Sequence, residues 1–277
     1  MNRQDLIKAA EDFVENSKYN YIGKKEAISE DVIGMKIFEK PILVFGSASD
    51  EYFLLLKKPY AVGKHFMAPK EWLPNSKTVI SFFLPFSETV RKGNKRDMLW
   101  PSREWLHGRI EGQNFLNKLC NHLKSKLMEE GYDSVVPSLD ERFWSVKFEG
   151  SPLHPELSFT SNWSERHVGF VCGLGSFGLS RGLITQKGIA GRIGSIVTEL
   201  YLSPDERKYK DIYEYCIMCG KCAENCPSRA ISVERGKDHI VCARFLDETS
   251  EKYKPRYGCG KCQVEVPCEF KIPRGSY

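Results

Sequence analysis

The chain has 277 residues, 41% of them hydrophobic and 28% charged, enough for one large core or a medium core with a small appendage. No apolar run approaches the roughly 18 residues a spanning helix needs, and MNRQDLIKAAEDF carries neither a signal core nor a twin-arginine pair, so a cytoplasmic location without a membrane partner is expected. The net charge of +5 invites nucleic acid, but the basic residues are scattered, and two bound iron–sulfur clusters with their thiolates would bring the sum to about +1, which argues against it.

Residues 2–16 place Leu6, Ala9, Ala10, Phe13 and Val14 at helical spacing. PILVFG (41–46) and KTVISFFLPF (77–86) are apolar, β-branched runs stopped by Pro or Gly, and they predict buried strands. From Arg103 to Glu130, Leu106, Ile110, Leu116, Leu119, Leu123 and Leu127 mark the buried stripe of a long helix ended by Gly131. Cys120, beside that stripe, reads as a small buried thiol. Tyr60, Trp100, Trp105 and Trp144 read as core rather than as cofactor-stacking residues.

Residues 133–160 are rich in Pro, Ser and aromatics and predict an excursion over a cleft. Asn162 and Glu165 then have the spacing of a capping box for a helix that runs to Cys172 and stops at Gly173. RGLIT and RIGSIVTEL follow as strands, and the polar connector 203–215 marks a boundary between domains 1–204 and 205–277. No internal repeat or low-complexity tract stands out. The alternation of elements predicts an α/β or α+β large domain.

Eight of the ten cysteines lie after residue 215. An unsecreted chain keeps thiols reduced, so metal binding is the expected use. Cys216, Cys219, Cys222 and Cys226, the last followed by Pro227, have bacterial-ferredoxin spacing: three sulfurs converge on one cube and the fourth turns to another. Zinc prefers two separated pairs, a poor match. Cys242, Cys259, Cys262 and Cys268 complete a second set of four. By the crossed rule, Cys216, Cys219 and Cys222 take Cys268, and Cys226 takes Cys242, Cys259 and Cys262, giving two [4Fe–4S] clusters.

GLGSFG (173–178) matches a dinucleotide fingerprint, but it follows a helix and leads into a strand, the reverse of the required context. Two readings remain open for Gly173, Gly175 and Gly178. They make a helix cap and tight corner, or they bare the backbone for a large flat cofactor.

CGLGSFGLSRGLI (172–184), GRIGSIVTELYL (191–202), CIMCGKCAENCP (216–227) and YGCGKCQ (257–263) together resemble the epoxyqueuosine reductase and reductive dehalogenase superfamily, and the first of these more closely. The resemblance spans roughly residues 160–268, with SKTVISFFLPF the one match before it. It implies an α+β protein: a nitroreductase-like α/β domain with a C-terminal ferredoxin-like part whose two clusters pass electrons to base-off cobalamin. Gly173, Gly175, Ser176, Gly178 and Arg192 are then the cofactor-binding candidates. His167 and Glu165, at the helix start facing the glycine corner, are the catalytic candidates, also readable as a structural histidine and a capping carboxylate respectively.

The chain departs from the pattern in four ways. Phe159, Thr160 and Ser161 stand where the acidic proton donor is expected, and the helical repeats that help hold tRNA do not follow the clusters. Five residues separate Cys262 from Cys268 where three are usual, and the dehalogenases' twin-arginine signal is missing. The expectation is therefore a cobalamin-dependent iron–sulfur reductase acting on a small, non-tRNA substrate and fed by a low-potential donor such as ferredoxin or flavodoxin. The alternative is an electron-transfer or activating protein that reduces a corrinoid held by a partner protein.

Overall fold

A computed structural model describes residues 1–150, 152 and 154–274. Helix α1 (Arg3–Asn16) is capped by Asn2, whose side chain accepts from the Gln4 and Asp5 amides while Asp5 returns a bond to the Asn2 amide. Its buried stripe is Leu6, Ala10 and Val14. Strands β1 (Ile42–Ser47) and β2 (Thr78–Pro85) pair antiparallel. The long helix α2 (Arg103–Glu129) is capped by Ser102, whose hydroxyl accepts from the Trp105 amide. Beyond its C-terminus, Gly131 takes a positive φ of 83°.

The 133–160 region contributes β3 (Ser134–Val135), β4 (Ser145–Val146) and, at its end, β5 (Thr160–Ser161). Helix α3 (Glu165–Val171), the hairpin β6 (Gly175–Phe177) and β7 (Leu183–Thr185), and strand β8 (Gly191–Thr198) follow. The main sheet has the order β1-β2-β8-β3, antiparallel throughout.

Every residue of β2 is buried, because the strand is covered on both faces. Ile80, Phe82 and Leu84 point to one side, into a core with α1 and α2. Val79 points to the other, with Trp72, Trp163, Val168 and Val171. The mixed helix-and-sheet layering is the α+β architecture the sequence predicts.

The capping expectation at Asn162 is corrected. Ser164 precedes α3, and its side chain makes no cap bond. Asn162 instead spans two loop segments, its amide donating to the Arg142 carbonyl (2.8 Å) and its oxygen accepting from the Trp144 amide (3.1 Å). A carboxamide that both donates and accepts here is satisfied more fully than a cap would allow. The connector 203–215 is latched onto the sheet edge. The Asp205 amide donates to the Phe45 carbonyl (2.7 Å), and its carboxylate accepts from the Phe45 amide (2.8 Å). Helix α4 (His239–Tyr253), capped by Asp238, belongs to the cysteine-rich segment.

Candidate iron–sulfur and acceptor site

Two turns shape the cysteine region, and they share a sequence. CGKC occurs at 219–222 and at 259–262. In each, the glycine sits at φ 73° and opens a short helical turn, Lys221–Glu224 in one case and Lys261–Gln263 in the other. This short repeat corrects the expectation of no internal repetition. A left-handed residue between two cysteines lets both sulfurs face inward, and glycine takes that conformation without steric cost.

The second turn is bolted to the core. Lys261 is fully buried and donates to the Asn94 carbonyl (2.8 Å) and side-chain oxygen (2.9 Å), while Asn94 donates to the Cys259 carbonyl (2.9 Å). Burial pulls the Lys261 ammonium down to about 8. Next to Cys268, the buried Glu269 carboxylate is held by Arg91 (2.7 Å) and Lys95 (2.9 Å).

The eight cysteines divide between two cavities. Cys216, Cys219, Cys222 and Cys268 line one, whose remaining wall is mainly apolar, including Leu179, Ile184, Ile189 and Val266. Cys226, Cys242, Cys259 and Cys262 line the other, of about 320 Å³, together with Trp105 and Arg192. Backbone amides already point at two sulfurs: Leu179 donates to Cys216 (3.4 Å) and Ala230 to Cys226 (3.3 Å).

Burial, and then neighbouring thiols, push Cys222, Cys259 and Cys268 up to about 12. Free thiols so enclosed stay protonated, and iron is the partner that would draw off those protons. Among the described residues no three metal-binding side chains converge on a single ion. Thiolates on a tetrahedral ion sit about 2.3 Å from it; the second cysteine group surrounds about 320 Å³, room for a larger inorganic core, whereas the first closes on only about 20 Å³.

A third cavity, of about 740 Å³, opens beside the second cysteine group, and Arg166 lies on the wall of both. It is bounded by the loop at Phe159, by α3 at Ser164 and His167, by Phe177 of the hairpin, and by the start of α4 at His239. His167 is 2.7 Å from the Ser164 hydroxyl and packs on Phe177 with ring centroids 5.0 Å apart. Burial, reinforced by Arg166 and Arg181, pulls its pKa down to about 4, so the ring is neutral at pH 7.

The other catalytic candidate points elsewhere. Glu165 is not among the cavity-lining residues. Its carboxyl is enclosed against the sheet, accepting from the Ser195 hydroxyl at 2.6 Å, while Oε1 has no partner among the described residues. Burial raises it to about 7.

The glycine candidates form a helix cap and a tight corner. Gly173 follows α3 at φ 91°. A side chain at Gly175 would meet the Ile184 carbonyl at 2.1 Å across the hairpin, and Gly178 faces the Ile184 side chain. Ser176 is buried and accepts from the Tyr215 amide (2.8 Å). Of this segment only Phe177 reaches the open cavity, while Gly178 lines the first cysteine cavity.

Arg192 faces the second cysteine cavity and is tied to Gln113 (2.9 Å) and the Arg109 carbonyl. Among the aromatics read as core, Trp105 is buried, but Tyr60 is 79% exposed at the rim of the open cavity and Trp100 and Trp144 are half-buried. Sequence reasoning did not assign Arg166, Arg181 or His239 to the site; Arg166 is solvent-exposed on the cavity wall. The one local signal was His239, three residues before Cys242 on the same helix.

A family model described as a 4Fe-4S binding domain matches residues 209–232. A tetrachloroethene reductive dehalogenase of Desulfitobacterium hafniense is 45% identical over 64 residues, 23% of this chain and 12% of that one. An epoxyqueuosine reductase of Bacillus cereus is 25% identical over 217 residues, 72% of this chain and 50% of that one. This chain thus matches half the length, or far less, of these curated relatives. The solved structure of a catabolic reductive dehalogenase overlays 84% of this chain and 30% of its own, with a TM-score of 0.50 and 16% identity, which shows a shared fold. The chain is therefore an α+β protein with a 4Fe–4S-binding segment, homologous to both epoxyqueuosine reductases and reductive dehalogenases.

Proposed function

We propose that this chain is a reductase in which each cysteine group holds one [4Fe–4S] cluster and the open cavity holds the electron acceptor, a base-off corrinoid acting on a small, non-tRNA substrate. The observation that carries the reading is the shared wall: Arg166 separates the second four-cysteine cavity from a chamber of about 740 Å³. That volume matches the roughly 300–1,000 Å³ of drug-sized ligand pockets, so a corrinoid seated there would extend beyond the chamber mouth. Its lining of Ser145, Ser158, Thr160 and Ser161 hydroxyls with Phe159 and Phe177 rings suits a large ligand fringed with amides. Bound there, a corrinoid supplies a low-potential metal centre for reductive chemistry.

The chain's own part is holding and insulating. Eight thiolates would hold the iron, the Leu179 and Ala230 amides donate to sulfur, and Trp105 with Phe86 walls the second group from water. Cys219 is exposed, with Ile217 and Met218 beside it, so the first group is the one a ferredoxin- or flavodoxin-like donor would reach. Neutral His167 offers a hydrogen bond at the chamber wall, and Glu165 acts only as a buried structural group. An acceptor chamber on the chain itself supports this reading over delivery to a corrinoid on a partner protein. A reducing compartment such as the cytoplasm keeps the thiols available.

The test is anaerobic titration of cluster-loaded protein with hydroxocobalamin, followed by visible and EPR spectra. The reading expects a saturable spectral change with micromolar affinity. Unchanged cobalamin spectra throughout would refute the corrinoid assignment.

A further inference from the structure

We propose that Arg166 and Arg181 form an anion-holding arm in the open cavity, placed to take the carboxylate or phosphate group of a ligand bound there. The inference deepens the reading above and rests on the same chamber. Both arginines line it, and no Asp or Glu does among the described residues. Arg166 Nη1 donates to the Arg181 carbonyl (2.7 Å), which fixes one guanidinium and leaves its other donors free to bond a ligand.

Among the described residues neither arginine forms a salt bridge. Other arginines of this protein do: Arg207 pairs with Asp50 (2.6 Å) and Arg256 with Glu111 (2.5 Å). Both guanidinium groups are open to solvent on a chamber wall that carries no carboxylate among the described residues, so an entering anion can reach them.

Backbone geometry points to the same place. Arg181 (φ 57°) and Phe159 (φ 51°) are two of the five non-glycine residues with left-handed backbone among those described, and both line this cavity. Strained backbone of this kind concentrates at ligand clamps. The two histidines present, His167 and His239, are both drawn down to about 4, chiefly by burial. Positive charge in the chamber is therefore carried by guanidinium groups and does not vanish near neutral pH. Arg166 also lines the second cysteine cavity, where a cluster's negative charge engages it, but Arg181 does not. Arg181 is the residue that reads the ligand alone.

The anion has two candidate sources, a small organic substrate or the phosphodiester of a cobalamin, and the experiment separates them. Cluster-loaded full-length protein is titrated calorimetrically, without corrinoid, with benzoate, its neutral counterpart benzamide, and inorganic phosphate. In parallel it is titrated with cobalamin and with cobinamide, which lacks the phosphodiester. The expected result for a substrate anion is benzoate or phosphate binding at least about tenfold tighter than benzamide, from the strength of charge-assisted hydrogen bonds. Arg181→Gln should erase that preference at unchanged iron content and melting temperature. If Arg181→Gln instead weakens cobalamin but not cobinamide, the arm holds the cofactor's phosphodiester.

The proposal is overturned if no anion is preferred over its neutral counterpart, or if Arg181→Gln leaves every affinity unchanged. The benzoate and phosphate arms need no corrinoid, so they remain readable even if cobalamin does not bind.

Discussion

Replacing Gly260 by alanine tests whether the second CGKC turn builds its cluster site. An alanine Cβ there would lie 1.9 Å from Trp105 Cζ2 and 2.0 Å from Cε2, where carbon atoms prefer about 3.5–4.0 Å. Trp105 cannot step aside: it is 4% exposed and meets Phe86 edge-on with centroids 4.9 Å apart. Overpacking costs about 1–3 kcal/mol, and a left-handed non-glycine residue adds about 1–2 kcal/mol. A total of roughly 2–5 kcal/mol corresponds to a fall of roughly 5–15 °C in melting temperature.

Because the turn yields before the core, Cys259 and Cys262 are displaced. Iron content should drop from about eight to about four per chain, two cubes to one. Gly131→Ala is the control, since its φ is 83° but nothing lies within 4 Å of the added carbon. It should lose only that left-handed cost of about 1–2 kcal/mol and keep its iron. Thermal melts with iron and sulfide analysis decide the matter. Full iron and an unshifted melt in Gly260→Ala would show that the Trp105 contact does not define the site.

Two further outcomes follow. Cys268→Ser should disturb the EPR signature of the more exposed cluster and Cys242→Ser that of the inner one, whereas both altering one signal would break the crossed arrangement. Glu165 has a folded-state pKa of about 7, above its ordinary 4.5, so the folded chain holds that proton more tightly than the unfolded one. Its contribution is present below about pH 4.5 and is lost as pH rises through 7, a swing on the order of 1–3 kcal/mol. Glu165→Gln should flatten urea-derived stability over that window, and an unchanged slope would contradict the buried-acid assignment.

The strands at 42–47 and 78–85 and the helix at 103–129 were legible because apolar runs and helical periodicity report burial directly. The two sets of four cysteines expected from the crossed ferredoxin rule line one cavity each. Asn162 misled because a carboxamide near a helix start has the sequence of a cap, and only the packed loop at Arg142 and Trp144 reveals its partners. GLGSFG resembles a ligand loop, yet Gly175 is required by the carbonyl of Ile184 across a hairpin that sequence spacing does not announce. Arg166, Arg181 and His239 come from three separate segments, and nothing short of the tertiary structure brings them to one chamber.

The most direct measurement is iron and acid-labile sulfide per chain in anaerobically prepared protein. Two cysteine cages predict about eight of each. A value near four, or zinc in place of iron, would contradict a pair of cubes leading from the surface to the chamber.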